Sequence, residues 1–318
     1  MLEKKSKHIE ELGKSEEAVA KQFTASAPEL DAIIGEFTDP MLEDEHQVVR
    51  GLIHKYENRA LCLLTADCAA YCRFCTRRRM VSDIERGRMD TGDVERWVEY
   101  LTAHPEVSEV ILSGGDPFVV SSELFAYTLK RISSVPTITV LRIGTRVPVS
   151  APEFVTDEKL DAIRSISQPV YIGIHFEHPA ELTHETIEAV ARLRKAGAIL
   201  YSQTVFLREI NDDYDILYKL FSRLIEIGVR PYYIYRCDPV TGVGHFRSDF
   251  AKERKIMTAL RKNLSGLACP IYVIDTPLGS GKIPVPLEFW NADVSRYRDF
   301  CGEEYEVEGE SKGIGEPI

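Results

Sequence analysis

The chain has 318 residues, 44% of them hydrophobic and 28% charged, enough to bury one large core. A formal net charge of −11 argues against a nucleic-acid or anionic-membrane surface, and no run of about 18 apolar residues is present to span a bilayer. The opening stretch MLEKKSKHIEELGKSEE is too charged for a signal peptide, and an odd set of seven cysteines suits a reducing compartment better than a disulfide framework, so a cytoplasmic protein is expected.

Residues 1–55 carry charged, weakly periodic segments broken at Pro28 and at Asp39-Pro40, and read as short helices ahead of the core. From residue 60 onward, apolar runs alternate with amphipathic segments. Residues 60–65 form a run of the buried-strand type that delivers Cys68, Cys72 and Cys75, spaced C-x3-C-x2-C and followed by Thr76, Arg77, Arg78 and Arg79. Three thiolates can hold three irons of a [4Fe–4S] cluster and leave the fourth open to a chelating small molecule. Two readings compete. The cysteines could form one face of a buried helix, which Arg73 and Arg77 to Arg79 would make a poor core segment. A tetrahedral zinc site would want a fourth ligand at matching spacing, and no second C-x2-C pair exists. Cys62, Cys237, Cys269 and Cys301 are scattered singly and read as ordinary thiols.

A helix follows, with Val94, Trp97, Val98 and Leu101 on one face. Strands are expected at 107–112, 138–143, 170–176, 199–206 and 230–235. Between them lie helices bearing Leu124, Phe125, Leu129 and Ile132 behind a Ser121 or Ser122 cap, a helix near 157–166, one with Ile187, Val190 and Ala191 stopping at Gly197, one with Leu217, Leu220, Phe221 and Leu224, and one near 252–264. One further apolar run spans 270–275, and the Gly-rich acidic tail from Glu303 is expected to be disordered. Six strand–helix units with short connections imply a parallel sheet with helices outside, and six is too few to close an eight-fold barrel. The fold expected is α/β, a partial (βα)6 TIM-like barrel. Its polar motifs sit at the C-terminal ends of the strands, where such sheets bind ligands.

The string Cys-Ala-Ala-Tyr-Cys-Arg-Phe-Cys-Thr-Arg-Arg-Arg resembles the lysine 2,3-aminomutase family of radical S-adenosylmethionine (SAM) enzymes. The resemblance recurs at Asp39-Pro40, His54-Lys55-Tyr56 to Arg59, Ser113-Gly114-Gly115-Asp116, Arg142 to Arg146, His175, Gln203, Pro231 to Asp238, His245-Phe246-Arg247 and Asp275 to Pro284. It implies a radical SAM partial barrel at 56–285, an N-terminal helical extension at 1–55 and a C-terminal tail at 286–318. It also implies three cofactors: a [4Fe–4S] cluster on Cys68, Cys72 and Cys75, SAM, and pyridoxal 5′-phosphate (PLP). Ser113, Gly114, Gly115 and Asp116 resemble the stretch that binds the SAM amino group, the glycines letting backbone approach a ligand while Asp116 accepts from an ammonium. Thr145, His175 and Gln203 follow by the same resemblance, although His175 also suits a core.

Lys282 lies in Gly-Ser-Gly-Lys, where a flexible segment would let a lysine form a Schiff base with an aldehyde such as PLP. A phosphate loop fails there, since Thr276 stands where Gly is needed and Ile283 where Ser or Thr is. By resemblance Lys282 anchors PLP, and Lys55, Tyr56 and Arg59 bind its phosphate. Arg77 matches the clamp on the substrate carboxylate, whereas Asp238 and Asp275 match the two acids that read the distal ammonium of lysine; relatives acting on glutamate lack that pair. The activity implied is interconversion of L-lysine and β-lysine. Arginine as substrate, or β-lysine supply for elongation-factor modification, stays open. A flavodoxin or ferredoxin as electron donor and a homo-oligomer belong to the same expectation, as does the absence of nucleic-acid and membrane partners. The chain departs from clostridial members in lacking a cysteine after Asn211-Asp212 and a C-terminal cysteine cluster, so no structural zinc is expected, and it is short at both ends.

Overall fold

The computed structural model describes residues 2–31, 35–81, 83, 87–276, 281–291 and 296–306. Ten strands form one sheet in simple sequence order: β1 Gln47–Val49, β2 Leu52–Tyr56, β3 Arg59–Thr65, β4 Glu109–Gly114, β5 Val140–Thr145, β6 Val170–His175, β7 Ile199–Val205, β8 Arg230–Tyr235, β9 Ile271–Asp275 and β10 Lys282–Pro284. From β3 to β9 every neighbour is parallel, while β1, β2 and β10 pair antiparallel at the two edges. Among the described residues β1 and β10 do not pair, so the curved sheet stays open, as six strand–helix units require.

Each crossover carries a helix: α3 Thr91–Ala103, α4 Ser122–Ser133, α5 Asp157–Arg164, α6 His184–Lys195, α7 Tyr214–Glu226 and α8 Phe250–Asn263. The start of α4 was legible because its serine cap is local, and α7 and α8 prove to be capped in the same way by aspartates. The Ser121 hydroxyl accepts from Leu124 N–H, the Asp213 carboxylate from Asp215 and Ile216, and the Asp249 carboxylate from Lys252. Gly197, at φ +90°, ends α6 where the sequence placed its stop. Alternate strand residues such as Val110, Leu112, Leu141, Ile143 and Ile172 pack against the fully buried Trp97, Phe125, Leu129 and Leu224 of the helices. The other set faces the concave side of the sheet, where Arg142 donates to Glu109 Oε1 at 2.9 Å and to Tyr201 Oη.

Four expectations change. β4 and β5 begin two residues later than the apolar runs do, because Val107 and Ile138 are buried plugs ahead of the ladder, so Ser113 and Thr145 become strand residues. The sheet already starts at Gln47, and β2 crosses the boundary expected at residue 55. Lys282 sits on β10 directly opposite Asp275 of β9 rather than on a flexible loop; residues 277–280 lie outside the described set. Glu304–Glu306 of the supposed disordered tail form a strand against Arg296–Arg298, and residues 307–318 lie outside the described set.

The N-terminal helices α1 Lys7–Ser15 and α2 Glu17–Phe23 do more than precede the core. They pack Ile9, Val19 and Phe23 against Ala70 of the cysteine loop. Tyr71 N–H donates to Lys4 O, and Arg73 N–H to Gln22 O, both at 2.8 Å. The Arg73 guanidinium, 2% exposed, pairs with Glu29 at 2.5 Å and is thereby buried with its charge satisfied.

Candidate active site

The loop after β3 carries Cys68, Cys72 and Cys75, all half-buried, and burial pushes the Cys75 thiol up to about 11. Three thiols delivered by one short loop suit three irons of a multi-iron cluster. The three arginines that follow are partnered. Arg77 forks onto Glu43 at 2.7 to 3.1 Å and donates to Ser113 Oγ at 3.1 Å. Arg78 pairs with Glu29, and Arg79 with Asp39 and Asp44. Burial alone would push the Glu43 carboxyl up, but the Arg77 guanidinium outweighs it and holds the carboxyl below its usual range.

Gly114 and Gly115 serve the loop itself. A Cβ at Gly114 would lie 2.2 Å from Thr65 O, and one at Gly115 would lie 2.1 Å from Asp67 O. Their freedom lets the end of β4 press against the chain entering the cysteine loop, with Gly115 N–H donating to Thr65 O and Asp116 N–H to Asp67 O. The Asp116 carboxylate is buried and accepts from Thr145 Oγ1 and from the N–H groups of Phe118, Arg146 and Val147. Both its oxygens are engaged inside the fold, so its visible work is to join the ends of β4 and β5. Thr145 belongs to that same network rather than to open space.

A second group lies at the edges of the sheet. Lys282 Nζ reaches both Asp275 oxygens at 2.7 and 2.9 Å and sits 5.5 Å from the Tyr235 ring centre. Gln203 Nε2 donates to Tyr235 Oη at 2.8 Å. Asp238 follows β8, and burial together with the neighbouring Asp275 carboxylate pushes it up to about 7 against the pull of Lys282 and Arg247. Lys55 donates to Met41 O at 2.7 Å; burial lowers it, while Glu43 and Asp275 act in the opposite sense. Arg59 stacks on the Tyr56 ring at 4.0 Å. Two cations and a phenol at one edge fit a phosphate dianion, and Lys282 across the gap fits an aldehyde. His175 ends β6 half-buried, its Nδ1 3.4 Å from Glu177 Oε1. Asn211 and Asp212 brace the turn after β7: Asn211 accepts from Leu207 N–H, and Asp212 from Glu209 N–H and Ser248.

Sequence reasoning missed Glu43, Glu181, Gln22 and the role of Arg146. Arg146 Nη1 donates to Cys72 Sγ at 2.8 Å, and its Nη2 donates to Glu181 at 3.0 Å and to Gln22 Oε1. An arginine directly after a strand that ends beside the cysteine loop was the available signal. Nothing local marks Gln22 or Glu43, which arrive from the N-terminal segment.

A sequence model of the Radical SAM superfamily matches residues 62–221. The chain is 41% identical over 267 residues to an L-lysine 2,3-aminomutase of Acetoanaerobium sticklandii, covering 84% of this chain and 64% of that one. It is 37% identical over 297 residues to an L-lysine 2,3-aminomutase of Methanococcus maripaludis, covering 92% and 68%. The chain belongs to the lysine 2,3-aminomutase family of radical SAM enzymes. It spans about two thirds of the length of these curated relatives. A radical SAM methyltransferase from Sphaerobacter thermophilus shares the fold at a TM-score of 0.52 and 14% identity, over 72% of this chain and 71% of the other. The family's cofactors are a [4Fe–4S] cluster, SAM and PLP. Among the described residues no helix is long and apolar enough to cross a membrane.

Proposed function

We propose that this chain is an aminomutase that interconverts L-lysine and β-lysine by moving the α-amino group to the neighbouring carbon. The observation that carries the reading is at Asp275, whose carboxylate already holds a primary ammonium, that of Lys282, at 2.7 and 2.9 Å with Asp238 close by. A substrate ammonium would take the same place once Lys282 is committed to PLP. At the other end, Glu43 holds the Arg77 fork as a substrate carboxylate would.

When bound, the cluster with SAM supplies one-electron hydrogen abstraction, and PLP carries the migrating amino group. Cys68, Cys72 and Cys75 would hold the cluster. Backbone around Ser113 to Asp116, with His175 and Gln203, would line the SAM side, and Thr145 would brace that turn through Asp116. Lys55, Tyr56 and Arg59 would grip the PLP phosphate, and Lys282 its aldehyde carbon. Residues 56–285 would act as the catalytic barrel, 1–55 as its extension and 286–318 as a tail. A reducing flavodoxin or ferredoxin, a cytoplasmic setting and a homo-oligomer complete the proposal.

Anaerobic reconstitution with iron, sulfide, SAM and PLP, followed by assay on lysine, arginine and glutamate, tests the substrate. β-Lysine should form from lysine alone. Losing one charge-assisted hydrogen bond in a desolvated site costs about 1.5–3 kcal/mol, so Asp275→Asn should lower kcat/KM for lysine roughly 10- to 150-fold. An uncharged analogue of similar length should lose much less. An equal loss on both would remove the case for lysine.

A further inference from the structure

We infer that Arg146 sets the reduction potential of the iron–sulfur cluster, making it easier to reduce through its hydrogen bond to Cys72. This rests on reading Cys68, Cys72 and Cys75 as the cluster ligands. Arg146 is 7% exposed, and its Nη1 lies 2.8 Å from Cys72 Sγ. Among the described residues it is the side chain whose guanidinium donates to one of these three sulfurs. Its position is over-determined. The guanidinium carbon is 4.6 Å from the Phe23 ring centre and 5.3 Å from that of Phe74. Its backbone N–H is held by Asp116 Oδ2 at 2.7 Å, so the Gly-Gly-Asp turn fixes the origin of the side chain.

Reduction adds one electron to the cluster and raises its negative charge. A cation donating to a ligand sulfur stabilises the more negative state, and hydrogen bonds to sulfur and net local charge are among the factors that tune such clusters. Burial strengthens the effect, because the charge is screened less than at a surface. A counterweight is built in. Glu181, fully buried, accepts from Arg146 Nη2 at 3.0 Å, from Gln22 Nε2 at 2.8 Å and from Glu177 N–H at 2.9 Å, and it offsets part of the arginine's charge. Gln22 reaches this network from α2, which brings the N-terminal extension into contact with a residue that touches the cluster ligand.

The test is an anaerobic redox titration of the reconstituted protein without SAM, in mildly alkaline buffer, following the paramagnetic signal of the reduced cluster. Arg146→Gln should move the midpoint to more negative potential, Arg146→Lys should fall between it and wild type, and Glu181→Gln should move the midpoint to more positive potential. A purely structural role would not produce opposite signs from two members of one ion pair. Shifts of the same sign in Arg146→Gln and Glu181→Gln, or no shift in either, overturn the inference. If Arg146→Gln does not hold a cluster, Glu181→Gln decides: a positive shift supports the inference, and an unchanged or negative one overturns it. If wild type takes up no cluster, the reading of the three cysteines fails and the inference falls with it.

Discussion

Asp238 carries a proton further up the pH scale than an ordinary aspartate, since burial and the Asp275 carboxylate push it up to about 7. A group whose folded value is raised lends stability in acid, and that contribution is lost as pH rises through about 7. Binding of an ammonium runs the other way, because only the ionised carboxylate attracts it. Lysine affinity of the PLP-loaded protein should therefore increase as pH rises from about 7 upward, since Lys282 committed to PLP no longer holds the Asp238 carboxyl down, and Asp238→Asn should flatten the profile. Equilibrium dialysis across neutrality checks this; a profile as steep in Asp238→Asn as in wild type would assign the titration elsewhere. The acid pair and the three cysteines were legible as residue types in a recognisable order. Their present partners, Lys282 for Asp275 and Arg146 for Cys72, were not, because Lys282 comes from the neighbouring strand and Arg146 from the turn after β5, and only the fold brings them across.

The cysteine loop is an element held from two sides. On one side the end of β4 presses against it so closely that a methyl group at Gly115 would meet Asp67 O at 2.1 Å. Gly115→Ala must push backbone against backbone, and overpacking of this kind costs typically about 1–3 kcal/mol. Gly197→Ala has open space around it, so it suffers only the strain of φ +90°. Gly115→Ala should therefore lower both Tm and the iron content after reconstitution, whereas Gly197→Ala should lower Tm alone. Thermal unfolding with iron analysis checks both, and full iron content in Gly115→Ala would show that the turn does not shape the loop. On the other side, α1 and α2 cover Ala70 with Ile9, Val19 and Phe23. Their helical character was readable from charge and periodicity, yet their docking on the cysteine loop was not, since an amphipathic face does not name what it packs against.

Across the whole molecule, the open sheet leaves its β1–β2 edge and its β10 edge unpaired with one another among the described residues, with Lys55 on the first and Lys282 on the second. Lys55 of β2 feels Asp275 of β9 and Lys282 of β10, so the two edges approach one another without pairing. A cofactor with its phosphate on Lys55, Tyr56 and Arg59 and its aldehyde on Lys282 would tie those edges together. Ligand at about 100 times its Kd adds roughly 2.7 kcal/mol of stability. PLP should raise Tm of wild type, and the rise should shrink in Lys282→Ala and in Arg59→Ala. Differential scanning fluorimetry measures it; an undiminished rise in both variants would place PLP elsewhere.

The sequence by itself determined the strand and helix alternation, the openness of the barrel and the cysteine motif. All of these depend on local periodicity, caps and counts of units, and no distant neighbour is needed to read them. Tertiary structure alone decided which charges meet. Arg77 and Glu43 are 34 residues apart, and Arg146 and Cys72 are 74 apart. The same holds for the glycines of the Gly-Gly-Asp turn, whose lack of a side chain was visible but whose purpose depends on a backbone some 50 residues away in the chain. Buried charges must be paired, yet a sequence shows only that partners are needed; the parallel register of β3, β4 and β5 and the docking of α2 decide which ones are within reach.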